Sequence, residues 1–248
     1  MNEMKYDELL ELVKARRSIR SFKPDMVPDG NIEKILEVAR WAPSGMNSQP
    51  WGFVVVRDPD TRREIFESIF RRPPGMIPPG RMPENMRPMP GRMPMRRFGG
   101  PNALVLIVVC GDTRRKIILP GQGYEVVDGR IKLKEGRGLD QEGIFNSSLS
   151  NAFLYILLAA RTLGLGTQYV TLTSLPHAQT EIRRILGLPE YLDIYDTVAL
   201  GYPAYEPLPK YVRSLVEVIH HERYDPSKSL SDEEIIERAR TREDMRHA

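Results

Sequence analysis

Helix-like and strand-like segments alternate along the chain, and four separated apolar runs have the length and bounds of strands. That alternation predicts an α/β or α+β architecture with helices packed on a central sheet. At 248 residues the chain can bury a full core as one large domain. Apolar residues make up 41% and charged residues 28%, the balance of an ordinary soluble protein.

The elements follow in order. A first helix is expected over residues 5–17, with Leu9, Leu10, Leu12 and Val13 as its apolar side. A second follows Asp29 as N-cap, carries Ile32, Ile35, Leu36, Val38 and Ala39 at helical spacing, and ends at Pro43. WGFVVV, residues 51–56, is a continuous apolar strand. Asp58-Pro59-Asp60 then starts a helix that runs to Phe70. Residues 103–109 form a buried strand. Residues 111–140 are irregular, apart from YEVVDGRIKLK, which reads as a small hairpin turning at Asp128-Gly129. The helix over 144–163 is apolar on nearly every face from Ala152 to Ala160, so burial all round is expected; Gly164 and Gly166 end it. Residues 168–172 are a strand, 175–186 a helix stopped by Gly187 and Pro189, and 197–200 another strand. Ser231 and Glu234 make a capping box for a polar tail helix over 231–244, whose few apolar residues, chiefly Ile235, Ile236 and Ala239, need another surface to pack on.

Composition bounds the setting. The single cysteine, Cys110, excludes a disulfide framework and any multi-cysteine metal site; at the end of PNALVLIVVC it reads as a buried, inert thiol. The N-terminal MNEMKYDELLELV is charged and amphipathic, not a signal peptide. The longest apolar stretch, AFLYILLAA, is too short to span a bilayer. A reducing, cytoplasmic location is the expectation. Net charge is +3, yet residues 71–100 hold seven Arg against one Glu, a local +6, which leaves −3 for the rest. That segment is built from Met, Pro, Arg and Gly and keeps neither a helical nor a strand period.

Two strings carry the chemistry. RRSIRSF (16–22) puts Arg16, Arg17, Ser18 and Arg20 within five residues. A guanidinium fork gives two parallel charge-assisted hydrogen bonds to a phosphate. APSGMNSQPW (42–51) supplies Pro43, Ser44, Gly45, Asn47 and Gln49, residue types that let backbone amides approach a flat polar ligand. Together they point to a phosphorylated planar cofactor. Taken singly, the first is also a solvated basic helix end and the second a helix-to-strand connection.

These strings, followed by AARTLGLGTQYV (159–170) and ALGYPAYEPLPKYVR (199–213), resemble in that order the nitroreductase family of FMN-dependent oxidoreductases. The four blocks together are specific for the family and not for a substrate. The resemblance implies an α+β, three-layer fold with a central mixed β-sheet flanked by helices, in an intertwined homodimer. It implies one FMN-binding domain over 1–248, with a Met/Pro/Arg-rich insertion at 71–100, an irregular insertion at 111–140 and a C-terminal arm at 214–248.

By the same resemblance, Arg16 and Ser18 contact the FMN phosphate and ribityl chain, with Arg17 beside them, and Arg20 lies at the N1/O2 edge of the flavin. A fixed cation there stabilises the negative charge of the reduced ring. Ser44 and Asn47 serve the flavin bound mainly by the other subunit, with Pro43, Gly45 and Gln49 shaping the loop. Gly45 stands where many members have serine, which leaves only its backbone amide. In the Gly164, Gly166, Thr167 turn, a backbone N–H points at flavin N5. Lys210 and Arg213 form a second clamp on the phosphate. No catalytic side chain is implied, because N5 does the chemistry.

The implied activity is ping-pong reduction of nitroaromatic, quinone or similar electron-poor small molecules by NAD(P)H. Alternatives are a specialised flavoenzyme of the same fold, reductive dehalogenase-like or flavin-degrading, and a non-catalytic FMN-binding regulator. The 71–100 insertion is either a surface loop or a lid that favours anionic substrates. It has Phe98 as its one aromatic and no amphipathic helix, so neither nucleic acid nor membrane is expected as a partner. The glycines near 164 do not open a Rossmann unit, no metal-ligand spacing is present, and His220-His221 reads as a surface pair.

Overall fold

A computed structural model describes residues 5–70, 102–116, 124–127, 130–133, 140–207, 210 and 212–238. The chain divides into two compact units, Met1–Pro207 and Leu208–Ala248. The 71–100 insertion, half of 111–140 including the Asp128-Gly129 turn, and the tail beyond 238 lie outside the described residues.

In the first unit the helices are α1 (Tyr6–Ala15), α2 (Asp29–Ala39), α3 (Pro59–Phe70), α4 (Gln141–Thr162) and α5 (Pro176–Leu186). The strands are β1 (Trp51–Val56), β2 (Val105–Asp112), β3 (Tyr124–Val127), β4 (Arg130–Leu133), β5 (Gly166–Val170) and β6 (Leu192–Gly201). β3 and β4 pair as a separate hairpin, with Val127 opposite Arg130. The other four form one sheet in the order β1-β2-β6-β5.

Strand β2 shows why the fold has three layers. Its side chains alternate between faces and are buried on both. Leu106, Val108 and Cys110 join Ile65, Phe66 and Ile69 of α3 and Ala178 and Ile182 of α5. Val105, Ile107 and Val109 join Ile32, Ile35 and Ala39 of α2 and Phe153, Ile156 and Ala160 of α4. A doubly buried strand needs a continuous apolar run, and PNALVLIVVC supplies it. The α+β fold with flanking helices therefore stands.

Several expectations are corrected. The sheet is not mixed among the described residues: its ladders are antiparallel, and the parallel pairing there is confined to an isolated Ser18–Thr167 bridge. Asp29 is the first residue of α2 rather than its cap; Pro28 is the cap, and the Asp29 carboxylate pairs with Arg57 at 2.6 Å. α4 begins at Gln141, because Asp140 caps it by accepting from the Gly143 N–H at 2.8 Å. At 22 residues α4 is long and apolar enough to cross a bilayer by length and composition, and half of the relevant window is buried inside the fold. It is not buried all round: Leu154 is 46% exposed. Gly166 opens β5 instead of ending α4, and β2 runs on to Asp112, so Cys110 is interior; burial pushes its thiol up to about 11.

One charge is buried on the α4 side of the sheet. A bulge in β6 leaves Tyr195 as the extra residue between Ile194 and Asp196. Phe153 of α4 packs on the rings of Tyr169 and Tyr195, with centroids at 4.1 and 5.9 Å. The two tyrosine hydroxyls lie 3.4 Å apart. Asp196 beside them is 7% exposed, and its Oδ1 has no hydrogen-bond partner. Burial pushes this carboxyl up to about 6, against which only the Tyr169 hydroxyl works.

The second unit holds a short helix, α6 (Leu215–Val218), and helical residues 232–238. The capping box forms as expected: the Ser231 N–H donates to Glu234 Oε2 at 2.8 Å and the Glu234 N–H to Ser231 Oγ at 3.2 Å.

Candidate functional site

The arginine group sits where α1 gives way to the sheet. α1 stops at Ala15 because the chain turns extended at Arg16 and runs beside β5. The Ile19 N–H donates to the Thr167 carbonyl at 2.9 Å, next to the Ser18–Thr167 bridge. Ile19 points into the core, and Arg20 is exposed. The Arg20 N–H donates to the Tyr205 hydroxyl at 3.2 Å. Arg16 and Arg17 share a cleft with Gly166, Thr167, Arg161 and Tyr205.

The electrostatics of this cleft suit an anion. Arg16 is half-buried, and its pKa is lowered first by that burial and then by the charge of Arg17. Guanidinium stays protonated regardless. Among the described residues no carboxylate pairs with Arg16 or Arg161. Arg17 is partly spent on the carbonyls of Lys14 and Arg16. The charges of Arg16 and Arg17 repel one another, Glu206 lines the same cleft without pairing with Arg16, and a bound dianion removes the cost of that repulsion.

The glycines behind the cleft have local reasons. Gly164 has φ +71 and ends α4: its N–H bonds the Arg161 carbonyl at 3.1 Å, and the Leu165 N–H bonds the Ala160 carbonyl at 3.0 Å. That double closure is a Schellman cap. It consumes both amides, so an N–H aimed at a ligand from this turn is restricted to Gly166 and Thr167. At Gly166 a Cβ would lie 2.7 Å from Ile19 Cγ1. Glycine is therefore required there for the Arg16–Arg20 segment to lie against β5.

The 43–49 loop is strained and anchored. Met46, Asn47 and Gln49 have φ of 49°, 55° and 45°, in the left-handed region that favours glycine. Such positions cost on the order of 1 kcal/mol each and persist only where surroundings impose them. The surroundings are visible. The Asn151 Nδ2 donates to the Pro43 carbonyl at 3.0 Å, and the Gly45 N–H donates to Ser148 Oγ at 3.1 Å. The Gln49 N–H donates to Ser44 Oγ, and Gln49 Nε2 to Asn47 Oδ1. The expectation that the Gly45 amide is left for a ligand is thus corrected, because Ser148 holds it.

The two groups are not brought together within one chain. The loop is fixed to α4 at Ser148 and Asn151, and the arginine group shares its cleft with Arg161 and Leu165 at the far end. At 1.5 Å per residue these anchors are about 20 Å apart. Lys210 and Arg213 belong to the second unit, where Arg213 donates to the Glu217 carbonyl at 2.9 Å and pairs with its carboxylate at 3.4 Å.

Sequence reasoning missed Arg161, Ser148, Asn151 and Tyr205. Arg161 reads as an ordinary basic residue in a last helical turn. Ser148 and Asn151 are polar residues three apart in an apolar helix, and that spacing was the available signal.

The comparisons with known proteins agree with this architecture. The family model described as "Nitroreductase family" matches residues 13–202. An NADH dehydrogenase of Thermus thermophilus is 32% identical over 212 residues, covering 82% of this chain and 91% of that protein. An iodotyrosine deiodinase of Thermotoga neapolitana is 28% identical over 214 residues, covering 85% and 96%. Among solved structures, the NADPH:FMN oxidoreductase of Vibrio harveyi, complexed with NAD+, superposes with a TM-score of 0.65 at 20% identity, covering 94% of this chain and 84% of that one. The matched segment takes in the arginine group, the strained loop, all four strands of the sheet and the whole of α4, so the chain belongs to the nitroreductase family of oxidoreductases.

Proposed function

We propose that this chain is an FMN-dependent NAD(P)H oxidoreductase that works as a homodimer on nitroaromatic, quinone or similar electron-poor acceptors. One observation carries the reading: the cleft that gathers Arg16, Arg17 and Arg161 beside the Ser18–Thr167 bridge, with Arg16 half-buried and without a carboxylate partner among the described residues. That donor set fits a phosphate monoester. Bound FMN would supply two-electron chemistry at N5.

The chain's own residues bind and orient. Arg16, Arg161 and the Ser18 hydroxyl hold the phosphate and ribityl chain, with Arg17 adding charge. Arg20 supplies the cation at the N1/O2 edge, held in place through its backbone bond to Tyr205. Gly166 and Thr167 bring backbone to the ring. The loop of Pro43, Ser44, Gly45, Asn47 and Gln49 serves the partner's cofactor, which the separation along α4 supports. The exposed Leu154 face of α4 would be covered in the dimer.

Purified protein should show a flavin absorption spectrum that bleaches on anaerobic titration with NADH or NADPH. FMN should bind at least tenfold more tightly than riboflavin, since a charge-assisted phosphate contact is worth roughly 1.5–3 kcal/mol. Equal affinity for the two flavins would sink the reading. Arg16→Ala and Arg161→Ala should each weaken FMN alone.

The shared site has its own test. Arg16→Ala and Asn47→Ala chains, each weak in FMN, should regain tight binding at about a quarter of all sites when co-folded in equal amounts, because half of the dimers are mixed and one site in each is intact. No gain on mixing would mean that loop and arginines serve separate purposes. The likeness to an iodotyrosine deiodinase favours a second reading, reductive dehalogenation, so iodotyrosine belongs in the acceptor panel with a nitroaromatic and a quinone.

A further inference from the structure

Gln49 is exposed and holds φ 45°, a conformation that glycine takes freely and glutamine does not. Both of its amides turn back on its own loop. The backbone N–H donates to Ser44 Oγ at 3.0 Å. Side-chain Nε2 donates to Asn47 Oδ1 at 3.1 Å and to the Asn47 carbonyl at 3.4 Å. A backbone carbonyl can only accept, so the end of Gln49 that faces it must be the NH2. That fixes the Asn47 amide in turn. Its Oδ1 is taken, and the two Nδ2 hydrogens are left unused among the described residues. Ser44, whose Oγ already accepts, keeps its O–H to give. The loop backbone is held separately, by Ser148, Asn151 and Arg115, whose Nη1 donates to the Ser48 carbonyl at 3.3 Å.

We infer that Gln49 is a positioning residue: it locks Asn47 as a donor, so that the loop recognises a ring carbonyl of the flavin held by the partner subunit. The inference rests on the reading above, in which this loop serves the partner's cofactor. A flavin's pyrimidine edge carries two carbonyl oxygens that accept and an N3–H that donates. An unrestrained asparagine can turn either end of its amide outward and match both. Locked by Gln49, it matches the carbonyls and rejects N3–H. The donors are also neutral. A phosphate dianion is better served by guanidinium, and the arginine cleft already supplies that. Reduction of the flavin adds negative charge along the carbonyl edge, so a fixed donor there favours the reduced ring. Locking also removes the cost of ordering Asn47 when the cofactor arrives. The left-handed strain at Gln49 is what this arrangement costs the free loop.

The test is titration of the full-length chain with FMN and with riboflavin, together with the midpoint potential of the bound flavin. Gln49→Gly relaxes the strained backbone and keeps the N–H to Ser44, so the side-chain amide alone is lost. Affinity for both flavins should fall alike, by about three- to tenfold, the worth of a neutral hydrogen bond. The potential should shift to more negative values. In an Asn47→Ala background Gln49→Gly should have no further effect, because Gln49 acts only through Asn47. Gln49→Lys, which can only donate, should hold riboflavin nearly as well as the unmodified chain. Gln49→Glu, which can only accept, should lose about tenfold or more. Riboflavin is the probe for these two because it carries no phosphate charge. Unchanged or improved affinity in Gln49→Gly would mean that Gln49 only shapes the loop, and would overturn the inference. An equal loss in both backgrounds would do the same, by showing that Gln49 touches the flavin itself. A loss confined to FMN would move the loop to the phosphate and overturn it too. A chain that binds neither flavin overturns the proposed function along with it, whereas tight FMN binding that ignores position 49 sinks this assignment alone.

Discussion

Asp196→Asn should stabilise the folded chain at pH 7 by about 1–3 kcal/mol, taking roughly 1.4 kcal/mol per pKa unit. The Asp196 carboxyl is raised from 3.8 to about 6 in the folded state, and desolvation by burial is the leading cause. The sign follows from proton binding. Between the unfolded value and about 6 the folded state holds the proton more tightly, so folding gains from it at low pH. That contribution is fully present below the unfolded pKa and is lost as pH rises through about 6. At pH 7 the folded chain carries a buried anion whose Oδ1 has no partner. A carboxamide removes the charge and can donate to a neighbouring tyrosine hydroxyl. Urea unfolding of both proteins from pH 3.5 to 8 checks this: the gap between them should open as pH rises above the unfolded value of 3.8 and be nearly complete once pH passes about 6. A gap independent of pH would mean that Asp196 is already neutralised at pH 7.

Gly166→Ala should destabilise the chain by about 1–3 kcal/mol, the usual cost of overpacking, and weaken FMN binding at least tenfold. The new Cβ would meet Ile19 Cγ1 at 2.7 Å and Ile19 Cβ at 2.9 Å. Ile19 is 4% exposed and β-branched, so its χ1 cannot rotate away freely. The segment from Arg16 to Arg20 must move off β5, taking with it the 2.9 Å bond from Ile19 to Thr167. Gly164→Ala is the control. It forces an alanine into φ +71, at a cost of about 1 kcal/mol, but its Cβ meets nothing within 4 Å. That variant should lose stability and keep FMN. Gly166→Ala combined with Ile19→Gly should recover FMN binding, because the conflict is with Ile19 from its Cβ outward and Ile19→Ala would leave the 2.9 Å Cβ contact in place. Without recovery, Gly166 must act on the cofactor directly.

The strands were legible where burial is on both faces, since β2 demands an unbroken apolar run. β6 was read short because Asp193 and Asp196 interrupt its pattern, and the second of them is buried against its chemistry. The start of α4 was missed because Gly143 and its polar neighbours hide it, and only Asp140 marks the cap. The arginine group was legible as a string. Its orientation was not, because it depends on Ile19 meeting a glycine far away in sequence. The loop's left-handed residues were unreadable for a similar reason: Met46 and Gln49 do not choose that conformation, and anchors on α4 impose it.

Helix α4 also dictates where this chain can change in length. Its two working ends, the Ser148–Asn151 anchors and Arg161 at the arginine cleft, sit on one rigid rod. One residue inserted between them turns the far end by about 100° and swings Arg161 out of its cleft. Seven inserted residues restore the face to within about 20° but push the ends about 10 Å apart. Neither change can be absorbed locally, because a Schellman cap and a strand follow at once. The helix is thus a fixed gauge, and lineages that share this site are expected to keep its residue count while their loops lengthen and shorten around it.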